Sequence, residues 1–144
     1  MADIHIEDFY KDCARILVQL YNAFPRKIML YVEDIAGPDE PDEYGIHSPR
    51  HQSCFAAMLW LAEENYLRYT DVVRQDAMDQ ATLTQRSFLL LSGVAEPLPD
   101  TATASSLPPS VTEELHTRIS ALRRVLAEGS STEIARLMRN LFSL

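Results

Sequence analysis

Cysteine is scarce: two in 144 residues, Cys13 and Cys54, each set inside an apolar pattern. That excludes a disulfide framework and fits a reducing compartment. Only four glycines occur, and no run of them could cradle a phosphate. The Ser, His and Asp residues form no nucleophile elbow, so neither enzymatic activity nor a cofactor is expected. Basic side chains are outnumbered thirteen to twenty-one, for a formal charge of −8. A protein that grips nucleic acid mainly through phosphates needs clustered Lys and Arg, which disfavours that class. No apolar run approaches the ~20 residues that span a bilayer. The acidic opening, Met1-Ala2-Asp3-Ile4-His5-Ile6-Glu7-Asp8, lacks the basic-then-apolar layout of a signal peptide. The expected setting is cytoplasmic, without membrane contact.

What is present describes an ordinary globular chain, with 47% apolar and 24% charged residues. Its length suits one domain with a small appendage, burying roughly 70% of the unfolded surface. Phe9, Cys13, Ile16, Leu17, Leu20 and Phe24 step by three and four, predicting an amphipathic helix over 6–23 that Pro25 stops. Residues 27–37 have room for a small strand and one or two helical turns. An acidic loop follows over 37–47, with two prolines and two glycines. Ser48-Pro49 is a strong helix start, with Ser as the cap and Pro where no backbone donor is lost. Cys54, Phe55, Met58, Leu59, Leu61 and Ala62 give that helix its apolar face as far as Glu64. Asn65 sits where left-handed geometry is required. Residues 66–73 alternate and read as a strand, 74–80 as a polar tip, 81–83 as a short partner strand. Thr84 caps a brief helix over 85–92.

Residues 96–110 hold four prolines and almost no packing groups, the composition of a linker between a 1–95 domain and a 111–144 helical hairpin. Ser110 and Glu113 have capping-box spacing ahead of Val111, Leu115, Ile119, Leu122 and Leu126. Ser130 and Glu133 repeat it ahead of Ile134, Leu137, Met138, Leu141 and Phe142. Two short helices cannot bury such stripes alone. The expectation is a homodimer or docked partner protein, with Leu122, Leu126, Leu137 and Leu141 near the centre of the contact.

The order helix, strand, short helix, longer helix, strand, tip, strand resembles a winged helix-turn-helix domain over about 6–92. Met58-Leu59-Trp60-Leu61-Ala62-Glu63-Glu64-Asn65-Tyr66-Leu67-Arg68 looks like the end of that superfamily's third helix. Leu83-Thr84-Gln85-Arg86-Ser87-Phe88-Leu89-Leu90 is similar to the Leu-Thr-x-x-Gly-x-x-Leu-Leu segment leaving the wing in MarR- and PadR-like regulators. Asn65 and Ser87 stand where those families usually have Gly. The resemblance implies a mainly α fold with a small β-wing, and a third helix that reads DNA, here with Arg50, Gln52 and Ser53. Two departures point elsewhere. The eleven-residue loop replaces a turn of usually ~3–4 residues and places Asp39, Glu40, Asp42 and Glu43 beside that helix's start. Residues 1–95 also carry a net −7. The favoured function is therefore a non-enzymatic, acidic winged-helix adaptor or regulatory subunit of a bacterial-type complex. A MarR/PadR-type repressor is the alternative.

His47 and His51 are four apart, which could bring two imidazoles to one metal ion. His47 precedes the Ser48 cap, however, and His51 lies near the apolar face, so no metal site is expected. The loop carboxylates do not match an EF-hand, leaving a solvated acidic loop able to recognise a basic partner. Trp60 lies with Ser53, Ala56, Ala57 and Glu64 on the helix wheel, away from Phe55, Met58 and Ala62. An outward aromatic suits a protein contact, unless the hairpin folds back over it.

Overall fold

The computed structural model describes residues 3–94 and 116–144. It is mainly helical, 59%, with six helices and a four-stranded antiparallel sheet among the described residues. The elements run α1 (Ile4–Ala23), β1 (Ile28–Tyr31), α2 (Val32–Ala36), α3 (Pro49–Glu63), β2 (Leu67–Arg68), β3 (Asp71–Val73), β4 (Ala77–Leu83), α4 (Gln85–Ser92), α5 (Arg118–Glu128) and α6 (Ser131–Phe142). No helix is long and apolar enough to cross a membrane, among the described residues.

Local chemistry explains the boundaries. The Ser48 side chain accepts from His51 N at the start of α3, and Pro49 fills its first position. At the other end Asn65 takes φ 65°, while Tyr66 N donates to Leu61 O and Asn65 N to Ala62 O. This pair of bonds closes the helix with the left-handed cap that the sequence anticipates. The expected 66–73 strand is broken at Tyr69-Thr70 into β2 and β3, both of which pair antiparallel with β4. The polar tip is shorter than expected. Residues 74–76 alone turn the chain, and β4 already starts at Ala77, because Ala77, Met78 and Ala81 are core residues despite their polar neighbours. β4 also pairs with β1, and a bulge between Ile28 and Leu30 accommodates Gln80 at φ 56°. Thr84 caps α4 by accepting from Ser87 N. Ser87, where the resemblance expects Gly, is buried and donates its hydroxyl to Tyr66 O at 2.6 Å.

The linker 96–110, the box at Ser110 and the apolar positions Val111 and Leu115 lie outside the described residues. Thr117, which the helix expected to run on from Ser110 would include, is not helical. That residue is extended, bridges to Val94 and caps α5 by accepting from Ser120 N. Ser130 caps α6, accepting from Glu133 N as its box predicts.

One core unites these elements. Ile16, Leu17 and Leu20 of α1, Met58 and Leu61 of α3, and Leu30, Met78 and Leu83 of the sheet share a single buried cluster with Ile119, Leu122, Ile134, Met138 and Leu141 of the hairpin. The hairpin is thus part of the same packed body as the first domain. Its stripe is covered by its own chain, with Leu122 2% and Leu141 6% exposed, and Leu126 and Leu137 half-buried. Leu122 and Leu141 are thus used by the fold itself, while Leu126 and Leu137 keep part of their surface outward.

Candidate functional site

The acidic loop, the first turn of α3 and the β3–β4 tip converge on two histidines. His47 lies outside α3, as its place before the cap requires, yet the loop lays its ring on that of His51, centroids 3.7 Å apart and 8° from parallel. Each ring is held from behind by the tip. His51 Nε2 is 2.8 Å from Gln75 O, and since a carbonyl only accepts, Nε2 carries the hydrogen. His47 Nε2 is 2.8 Å from Asp76 Oδ1. The tip is itself fixed to the sheet's edge, because Val32 N donates to Asp76 O. On the other side His47 Nδ1 lies 2.9 Å from Asp39 Oδ2, with His51 Nδ1 3.9 Å from the same oxygen. The His51 side chain is 1% exposed, and its Nδ1 is buried with no hydrogen-bond partner.

Asp39 also accepts from Ser48 N. Hydrogen bonding from Ser48, then from His47, holds its carboxyl down at about 2. The Asp39 hydrogen bond, with further help from Asp76, raises His47 above its ordinary value. A raised value in the folded state means that this contact stabilises fully below the unfolded value near 6.5 and fades as pH climbs past the raised midpoint. The ring protons of His47, followed by NMR, should therefore titrate with a midpoint above 6.5. The Asp39→Asn change should bring that midpoint down.

Asp39, His47 and His51 each offer a ligand atom, and these atoms lie within 4.8 Å of one another. The two histidines meet although His47 is outside α3, so helical spacing is not what brings them together. Their two partners, Asp39 and Asp76, come from eight residues upstream and from a hairpin tip, which no spacing rule connects.

The other named residues are scattered. Arg50 does not point out of α3: its guanidinium forks onto Asp12 of α1 at 2.7 and 2.5 Å, and Asp12 is 1% exposed. Asp12 keeps Arg50 charged, raising it above its ordinary value. The Gln52 amide donates to His47 O. Ser53 is exposed on the same helix. Trp60 is half-buried and packs on Phe9, Tyr66 and Phe142, ring centroids 5.1, 6.2 and 5.3 Å away, so α6 folds back over it. It is not the outward anchor its helix-wheel position offered. Cys13 and Cys54 are both fully buried and unbonded. Burial pushes Cys54 up to about 12 and Cys13 well above its ordinary value, which makes both poor nucleophiles.

Ahead of His47 the loop is ordered by the Asp42 side chain. Asp42 Oδ1 accepts from Tyr44 N and Ile46 N, each at 2.9 Å. This turn leaves Tyr44 79% and Ile46 55% exposed, beside Glu40, Asp42 and Glu43. No protein-family model matches the chain, and no curated protein or solved structure is found to be similar to it.

Proposed function

We propose that this chain is a non-enzymatic protein-interaction module, an adaptor or regulatory subunit on a winged-helix-like scaffold. Support for the scaffold comes from the sheet order β1-β4-β2, with β3 also on β4, and from the short wing-like tip at 74–76. The observation that carries the functional reading is the direction of Arg50. A reader of base edges projects its arginine from the third helix into the groove. Here that arginine is turned inward and neutralised on a buried aspartate, Gln52 is tied to the loop, and Asp39 and Asp76 stand at the helix's start. The approach of phosphates is thereby disfavoured twice, through lost donors and through added negative charge.

The loop supplies what a protein partner would use. Tyr44 and Ile46 form a small apolar tip among carboxylates, suited to a basic segment with apolar anchors of its own. The test is capture of partners from an extract of the source organism on the immobilised full chain. Wild type should retain a protein after nuclease treatment, and the Tyr44→Ser/Ile46→Ser variant should lose it by at least ~10-fold. Capture that vanishes with nuclease, or that the loop variant leaves intact, overturns this reading.

A further inference from the structure

We propose that Asp39, His47 and His51 bind one divalent first-row transition-metal ion, with zinc the best match, through a carboxylate oxygen and the two Nδ1 atoms. The donor set comes first. Two imidazoles and a carboxylate are ligands that zinc favours, with a fourth position left for water. Asp39 and His47 are 12% and 15% exposed, which gives an ion a route in and a water a place to sit.

The decisive feature is His51. A buried imidazole nitrogen with no partner loses its hydration for no return, which native structures rarely tolerate without a reason. In a neutral ring, donation from Nε2 to Gln75 O leaves Nδ1 with its lone pair directed towards the Asp39 side of the cluster. A metal ion at that point satisfies the orphan atom.

The surroundings repeat the arrangement that orients metal-binding histidines. Such a histidine almost always donates its other ring N–H to a carbonyl or a carboxylate, which fixes the ring and makes the ligating nitrogen more basic. Gln75 O does this for His51 and Asp76 for His47, both at 2.8 Å. Both anchors come from the same hairpin tip, so both Nδ1 atoms are left for Asp39. Donor atoms of tetrahedral zinc lie about 3.3 Å apart, against a present spread of up to 4.8 Å. The adjustment falls on Asp39 and His47, which sit on the loop, and opens the two stacked rings. His51 stays put because the core holds it. The ion would pin the loop, α3 and the wing-like tip together, whether or not the loop docks a partner.

The experiment uses the full chain stripped with a chelator and dialysed, then titrated with zinc chloride by calorimetry and by thermal melt. One equivalent should bind with a micromolar or tighter Kd, raising Tm by roughly 5 °C at saturating metal. Cobalt(II) substituted at the site should show the visible absorption of a low-symmetry nitrogen–oxygen complex. Asp39→Ala and His47→Ala should each abolish stoichiometric binding, and Asp76→Asn should weaken it about 10–100-fold. These three residues are outside the core, so the variants remain folded by circular dichroism, whereas a His51 variant is open to a folding defect. Glu40→Gln and Asp42→Asn should bind as wild type does. Failure of the folded wild type to bind at ~1 mM zinc overturns the proposal. So does one-equivalent binding that survives in Asp39→Ala/His47→Ala, which would place the metal elsewhere.

Discussion

Replacing Arg50 by alanine is expected to destabilise the chain by about 3 kcal/mol, an outsized effect for a residue still one-third exposed. The cause is what remains behind. Asp12 is 1% exposed on the inner face of α1, and both its oxygens receive the guanidinium fork. Without Arg50 a carboxylate is left in the core without its guanidinium partner. The check is urea unfolding of wild type, Arg50→Ala, Asp12→Asn and the double variant. Asp12→Asn/Arg50→Ala should be more stable than Arg50→Ala, because the buried charge is gone. Ser53→Ala, on the exposed side of the same helix, should change stability by no more than ~0.5 kcal/mol. An Arg50 that acted through phosphates would show little loss of stability when removed.

Met138→Asp is the second large effect, expected to cost at least ~4 kcal/mol and to detach the hairpin from α1. Met138 is 0% exposed in the shared cluster, so the new carboxylate has no water and no partner. Trp60 reports the event directly. It is the only tryptophan, and α6 covers it through Phe142. Its emission should shift to longer wavelength in Met138→Asp and not in Leu144→Asp, whose native side chain is 59% exposed. If the stripe instead served mainly to join two chains, Met138→Asp would halve the mass in light scattering while Trp60 kept its native emission.

The local elements were legible because their signals are local. Ser48-Pro49, Asn65, Thr84 and the Ser130–Glu133 box each act within one helical turn, and each does in the fold what its chemistry predicts. The early start of β4 is hidden in the sequence because Ala77-Met78 is followed by Asp79-Gln80, which breaks the alternation, and the pair is buried only once β1 and β3 flank it. Periodicity identified the hairpin stripe but could not say which surface it meets. The answer is this chain's own α1, seen in the rings of Phe9, Tyr10 and Phe142. Arg50 looked like a base reader because the sequence does not show Asp12, thirty-eight residues earlier, at the end of its side chain. His51 was rightly placed near the apolar face, but its lone pair gained meaning only when the loop returned Asp39 and His47 to it.

The proposed protein-interaction role has the α3 surface meet protein rather than DNA, with the helix's one arginine held on Asp12. Fluorescence anisotropy of a labelled mixed-sequence duplex, titrated with the full chain at ~0.15 M salt, tests this directly. The predicted result is no saturable binding below ~10 µM and little gain on lowering the salt, since few phosphates would be contacted. Sub-micromolar binding that weakens steeply with salt, and that Ser53→Glu abolishes, would contradict it and make the third helix a DNA reader.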